Sequence, residues 1–138
     1  MLGDKNLTVN IAAKDLSIAK KFYEEILGLK QVGAEGLSSI LLRSGTTDLL
    51  IYQSQYAGTN QATAVTWYVG ENIEDIVPTL KSKNVTFEHY SRQNVTIEGD
   101  IHIDGKMKLA WFRDPDGNIL SIVNERWHTN MSGSIGVC

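Results

Sequence analysis

Glu98, Asp100, His102 and Asp104 alternate at period two, so in an extended chain their side chains leave one face together. Carboxylates and an imidazole in such a row could converge on a metal ion or exchange a proton with a substrate. The row also reads as the solvated side of a hairpin, because Asp104-Gly105 between two alternating runs is a turn signal. Charged residues are rarely buried unpaired, and we expect the solvated face. His89 and His128 stand alone and are expected to be structural or exposed. No Ser-His-Asp order can be assembled, and the Gly-x-x-x-x-Gly-Lys-Ser/Thr phosphate loop is missing. A second stretch, Trp111 to Asn118 followed by Ile119–Val123, predicts a strand, a tight Asp114-Pro115-Asp116-Gly117 turn and another strand. Proline presets φ in that turn and glycine admits a positive φ.

The bulk numbers narrow the field. A chain of 138 residues with 42% hydrophobic and 21% charged side chains suits one domain, or two small modules sharing a core. The formal charge of −3, with no Lys/Arg cluster, argues against a nucleic-acid partner. Lys20 and Lys21, with Lys14 nearby, fall on a predicted helix and read as its solvated side. No apolar run has the length of a membrane span, and Met1–Asn6 lacks the apolar core of a signal peptide. The single cysteine, Cys138, allows no internal disulfide, and a cytoplasmic location is expected. Asn-x-Ser/Thr triplets at Asn6, Asn84, Asn94 and Asn130 are then coincidence.

The elements that must position any site repeat. Leu7–Ala12 alternates like a half-buried strand. Asp15 is expected to cap a helix to about Leu27, with Leu16, Ala19, Phe22, Tyr23, Ile26 and Leu27 as its apolar stripe and Gly28 as its stop. Strands are predicted at Lys30–Gly33, Leu37–Arg43 and Asp48–Gln53. After a polar connector the order returns: a strand at Thr63–Val69, then a helix capped by Asn72 and running to about Lys83. Pro78 inside that helix predicts a kink or an early break. Val85–Tyr90, Val95–Ile103, Lys106–Arg113 and Ile119–Val123 complete the second set. The fold class is α+β: two tandem βαβββ modules at 1–54 and 63–124, a linker at 55–62, and a tail at 125–138 without clear periodicity.

This double βαβββ, with two sequence patches, resembles the vicinal oxygen chelate superfamily, which includes glyoxalase I, extradiol dioxygenases, fosfomycin-resistance enzymes and bleomycin-resistance proteins. The first patch is Asp15-Leu16, Phe22-Tyr23 and Leu27-Gly28-Leu29; the second is Asp114-Pro115-Asp116-Gly117-Asn118. The resemblance implies strands curled around a cleft with the helices outside. It also implies that any divalent metal would be held by His, Glu or Gln on four cavity-facing strands. Those positions fall on Thr8, Ala64, Ser121 and, on the fourth strand, near Ile51, where no residue from Leu49 to Tyr52 binds a metal well. A hydroxyl and a methyl group do not hold zinc, iron or manganese, so we expect no metal and no cofactor.

Period-two alternation then selects the cavity lining. Thr8, Asn10 and Ala12 face in on the first strand, with Leu7, Val9 and Ile11 on the helix side. Ala64, Thr66 and Tyr68 face in on the fifth, with Val65, Trp67 and Val69 in the core. Ile119, Ser121 and Val123 face in on the last, and Trp111 shares parity with Leu109 and Arg113. On the fourth strand either Tyr52 or Gln53 enters the site. The candidate ligand-binding residues are Thr8, Asn10, Tyr52, Gln53, Thr66, Tyr68, Trp111 and Ser121, and no catalytic residue is assigned. Such a pocket of hydroxyls, amides and aromatics suits a small organic ligand. Acid–base chemistry in the pocket would want a group titrating near neutral pH, and the expected lining offers only Tyr68 or Arg113 for that role.

Resemblance and lining together favour a metal-free, bleomycin-resistance-like homodimer that binds and sequesters a small organic molecule. The alternative is a metal-dependent lyase, isomerase or dioxygenase of the glyoxalase type, with Gln53 or Glu125 replacing lost ligands. A partner-presenting scaffold is a third class that the tail permits without suggesting.

Overall fold

A computed structural model describes residues 1–34 and 38–125. The first module runs β1 (Val9–Ala13), α1 (Leu16–Lys21), β2 (Lys30–Ala34), β3 (Ser39–Ser44) and β4 (Thr47–Gln53). The second runs β5 (Thr63–Tyr68), α2 (Ile73–Ser82), β6 (Phe87–Glu88), β7 (Thr96–Glu98), β8 (Ile101–Asp104), β9 (Met107–Arg113) and β10 (Ile119–Val123). The strands form two mixed sheets, ordered β1-β4-β3-β2 and β5-β10-β9-β8-β7, with β6 on β9. β1 pairs parallel with β4, and β5 parallel with β10. The α+β fold of two βαβββ modules is therefore as the sequence predicts.

Alternation sorts the strands into two faces. Ile11, Ala13, Leu49, Ile51 and Leu42 are buried on the helix side of the first sheet, as are Ala110, Phe112, Leu120 and Ile122 in the second. Both sets belong to one core cluster, which Tyr23, Ile73, Val77 and Leu80 close from the helices. Ile51 is fully buried there, so the residues that β4 presents on the helix-free face are Leu50 and Tyr52. Leu7 is not part of this packing: the strand begins at Val9 and Leu7 is exposed.

Local chemistry explains most element ends. Oδ1 of Asp15 accepts from the amides of Ser17 (2.9 Å) and Ile18 (3.3 Å), capping α1. The Ser17 hydroxyl on the same oxygen, with those amides, holds the carboxyl below its ordinary pKa. The helix does not stay α-helical to Leu27. It widens into a π-turn over Phe22–Ile26, where Leu27 N–H bonds to the Phe22 carbonyl (3.0 Å). Adjacent Phe22 and Tyr23 are both buried in that turn, and Gly28 (φ +83°) ends it.

The second module departs from expectation in four places. Asn72 makes no side-chain cap; a 3₁₀ turn over Gly70–Asn72 leads into α2 instead. Pro78 does not end α2, because the helix continues to Ser82. Proline removes one N–H bond on an exposed face, where water can serve the freed carbonyl. Only Phe87–Glu88 of the expected Val85–Tyr90 strand pairs. Gly99 (φ +63°) and Asp100 form a turn that splits Val95–Ile103 into β7 and β8, with Glu98 opposite Ile101.

Candidate functional site

The Gly99-Asp100 turn dissolves the acidic row. Asp100 turns back to bind Lys81 (2.8 Å) and His89 (2.7 Å), and the Lys81 contact leads in holding its carboxyl below the ordinary pKa. His102, expected on a solvated face, is 1% exposed. It stands opposite Leu109 on the helix-free face of the second sheet, under Tyr90 and Trp111. The Tyr90 amide donates to its Nε2 (2.8 Å), which places the ring proton on Nδ1 and keeps the imidazole neutral. Burial is the main cause of a pKa below the ordinary value, reinforced by His89 and Arg92. His128 and Cys138 lie outside the described residues.

The eight candidate residues are placed as follows. Asn10 and Tyr52 share a recess of about 200 Å³ with Ala64 and Asn118 where the two modules meet. Thr66 and Tyr68 border a second, of about 590 Å³, with Thr46, Thr47 and Val9. Trp111 borders a third, of about 320 Å³, with Thr63, Tyr90 and Arg92. Thr8 is exposed just before β1. Gln53 has the parity of Ile51, and its amide donates to the Lys14 carbonyl (3.3 Å), so Tyr52 is the β4 residue turned to the helix-free face. Ser121 is 2% exposed, because β10 runs between β5 and β9 and all five of its residues are buried. Its hydroxyl shares a 2.6 Å hydrogen bond with Thr66. Trp67 packs partly buried against the core and donates through Nε1 to the Ser44 hydroxyl (2.8 Å).

These placements test the family metal site. Thr8, Ala64, Ser121 and the Leu50–Tyr52 stretch supply no imidazole and no carboxylate, and two of the hydroxyls in the region satisfy each other. Among the described residues no three His, Cys, Asp or Glu side chains gather as a metal site requires. The residues present do not fit a divalent metal at the family position.

The residues that sequence reasoning missed lie around Trp111. Its indole Nε1 donates to the Thr63 hydroxyl (3.1 Å). Tyr90 (5.3 Å, 81°) and His102 (4.8 Å, 89°) meet the indole edge to face and hold its plane. Arg92 comes from the polar Ser91-Arg92-Gln93-Asn94 loop between β6 and β7, whose only sequence signal is its turn composition.

The two patches that carry the resemblance form one contact. Asp114, 5% exposed, accepts Tyr23 Oη (2.7 Å), the Asp116 amide (3.0 Å), and the Asn118 amide and side chain (both 2.8 Å). Asp116 takes the Lys14 amide (2.9 Å), and Asn118 Nδ2 also reaches the Ala12 carbonyl (2.9 Å). Burial is the main reason the Tyr23 hydroxyl pKa is driven far above its ordinary value, with the Asp114 charge beside it. Gly58 (φ +76°) presses so closely that a Cβ there would sit 1.8 Å from the Asp116 carbonyl oxygen. These residues are architecture: they bind the first helix and the connector to the last hairpin.

Known structures share this fold. A glyoxalase family protein from Enterococcus faecalis is 21% identical, with 89% of this chain and 99% of that one covered and a TM-score of 0.68. A lactoylglutathione lyase from Agrobacterium tumefaciens is 17% identical, with 87% and 92% covered and a TM-score of 0.66. The fosfomycin resistance protein FosX from Listeria monocytogenes is 12% identical, with 89% and 92% covered and a TM-score of 0.67. No curated protein sequence matches the chain significantly. Matching the family's sequence model over residues 7–122, on a fold of two βαβββ modules, the chain belongs to the Glyoxalase/Bleomycin resistance protein/Dioxygenase superfamily.

Proposed function

We propose that this chain binds a small organic molecule on the helix-free face of its sheets without a metal, in the manner of a sequestering, bleomycin-resistance-like protein. The observation that carries this reading is the Thr66–Ser121 hydroxyl pair, 2.6 Å apart, beside Ala64 where metal ligands would stand. Lyases and dioxygenases of the glyoxalase type need a cation to polarise oxygen or stabilise an enediolate. Here the donors have become a closed hydrogen bond and a methyl group. What remains on that face is recessed and aromatic, with Tyr52, Tyr68 and Trp111 as platforms and Asn10 as a polar anchor. Thr8 and Gln53 are peripheral contacts in this reading, and Ser121 acts through Thr66.

Residues 1–54 and 63–124 serve as the two halves, joined through 55–62; the tail at 125–138 lies, after Glu125, outside the described residues. The protein works as a cytoplasmic homodimer. In support, no helix among the described residues is long and apolar enough to cross a membrane. Each sheet also ends in a strand, β1 or β5, with no partner on its outer edge among the described residues.

The test is a thermal-shift screen of planar antibiotics and metabolites on chelator-treated protein, repeated with zinc, manganese, iron and nickel. The expected result is ligand stabilisation that needs no metal. Stabilisation, or turnover, only after metal addition would sink the reading in favour of the metal-dependent enzyme. Thr8→His with Ala64→His and Ser121→Glu should convert an apoprotein without stoichiometric metal uptake into one that retains a divalent ion. Light scattering at high concentration should report a dimer, and a monomer would remove that part.

A further inference from the structure

Resting on the reading above, we infer that the recess over Trp111 selects planar aromatic carboxylates, with Arg92 as the anion-recognising residue. Three observations carry this. The first is shape: a recess of about 320 Å³ is bordered by Gln61, Thr63, Tyr90, Arg92, Trp111 and Ile119. That is room for one or two fused rings. The second is the platform. The Trp111 indole is pinned through Nε1 to Thr63 and wedged edge to face by Tyr90 and His102. An indole already fixed in orientation loses little freedom when a flat ligand stacks on it.

The third observation is charge. Arg43 and Arg113 are each neutralised by a carboxylate, Asp48 and Glu88 respectively. Arg92 is exposed and forms no ion pair among the described residues, yet it borders the recess. No acidic side chain among the described residues lines the recess, and the nearby acids are engaged elsewhere: Glu88 by Arg113, Asp100 by Lys81 and His89. A planar guanidinium fork beside an aromatic platform matches a carboxylate attached to a flat ring. Gln61 supplies an amide for a neighbouring hydroxyl or carbonyl. A cationic drug would meet Arg92 with like charge and no compensating acid.

The experiment titrates the full chain with 2-naphthoate and its neutral isostere 2-naphthamide, following the Trp111 indole N–H resonance by NMR. Naphthoate is expected to bind at least tenfold more tightly and to shift that resonance. Arg92→Ala should bring the two affinities within about twofold of each other, largely by weakening naphthoate. Trp111→Ala, followed through the ring-proton signals of the probes themselves, should weaken both. Equal affinities in the parent protein, or a preference that survives Arg92→Ala, would overturn the inference. Naphthoate shifts confined to Asn10, Thr66 and Tyr68 would also overturn it while leaving binding on the helix-free face intact. Should neither probe bind while the earlier screen gives metal-free hits, the recess inference fails alone; an empty screen removes both.

Discussion

Two polar clusters flank the same hairpin of β9 and β10, and they are built on opposite terms. At the Asp114 turn four donors converge on one buried carboxylate, and each neighbouring polar group is spoken for within the chain. Around Trp111, Arg92 has no ion pair among the described residues, and Tyr90 Oη and His102 Nδ1 are buried without a hydrogen bond of normal geometry. Buried polar groups are nearly always satisfied, so a fully satisfied cluster identifies architecture. A cluster with partners missing is where an outside molecule can contribute. The difference separates a family signature that holds the fold from a site that can differ between family members.

The comparison can be broken most forcefully at its satisfied end. Asp114→Ala strands the Tyr23 hydroxyl in the core and should cost about 3 kcal/mol in urea denaturation. An effect under about 1 kcal/mol would show that the turn is not the staple described. Gly58→Ala should cost about 2 kcal/mol, since the connector must withdraw from the Asp116 carbonyl and φ +76° disfavours a Cβ. Tyr23→Phe removes one donor but leaves Asp114 three others, and should cost about 1 kcal/mol.

At the other end the effects are smaller and differ in kind. The folded pKa of His102 lies below the ordinary 6.5, chiefly through burial. The unfolded chain therefore takes up a proton that the folded one resists, and stability falls as pH drops from about 6.5 toward the folded value. Above that range the contribution is complete. His102→Gln should flatten this acid-side slope in thermal melts between about pH 7.5 and 5.5, and an unchanged slope would place the loss elsewhere. Arg92→Ala should leave the melting midpoint unmoved, because the side chain makes no ion pair among the described residues; a clear drop would mean that Arg92 is architectural after all.

Much of this was legible in residue order. The Asp15 cap, the Asp104-Gly105 hairpin and the Asp114 turn rest on side chains acting within a few positions of themselves. Parity on β1 and β5 also held, since alternation survives wherever one sheet face is buried. Alternation cannot see a turn made without breaking the pattern, and Gly99-Asp100 therefore passed for the middle of a strand. Nor can it see cover: Ser121 has the parity of a lining residue and is buried by its neighbours. The π-turn was equally invisible, because apolar residues at Phe22, Tyr23 and Ile26 fit a plain helix stripe.

By itself the sequence determined the two βαβββ modules, local features such as the Asp15 cap and the Asp114 turn, and the donor types at the family's metal positions. All three follow from short-range sterics or from the chemistry of single side chains. Only the tertiary structure decided that Tyr23 meets Asp114, 91 residues away, that Thr66 closes on Ser121, and that Arg92 stands beside Trp111 with no ion pair among the described residues. Those outcomes depend on which elements pack over which, a choice made by burial of the whole apolar surface and not by any local run of residues.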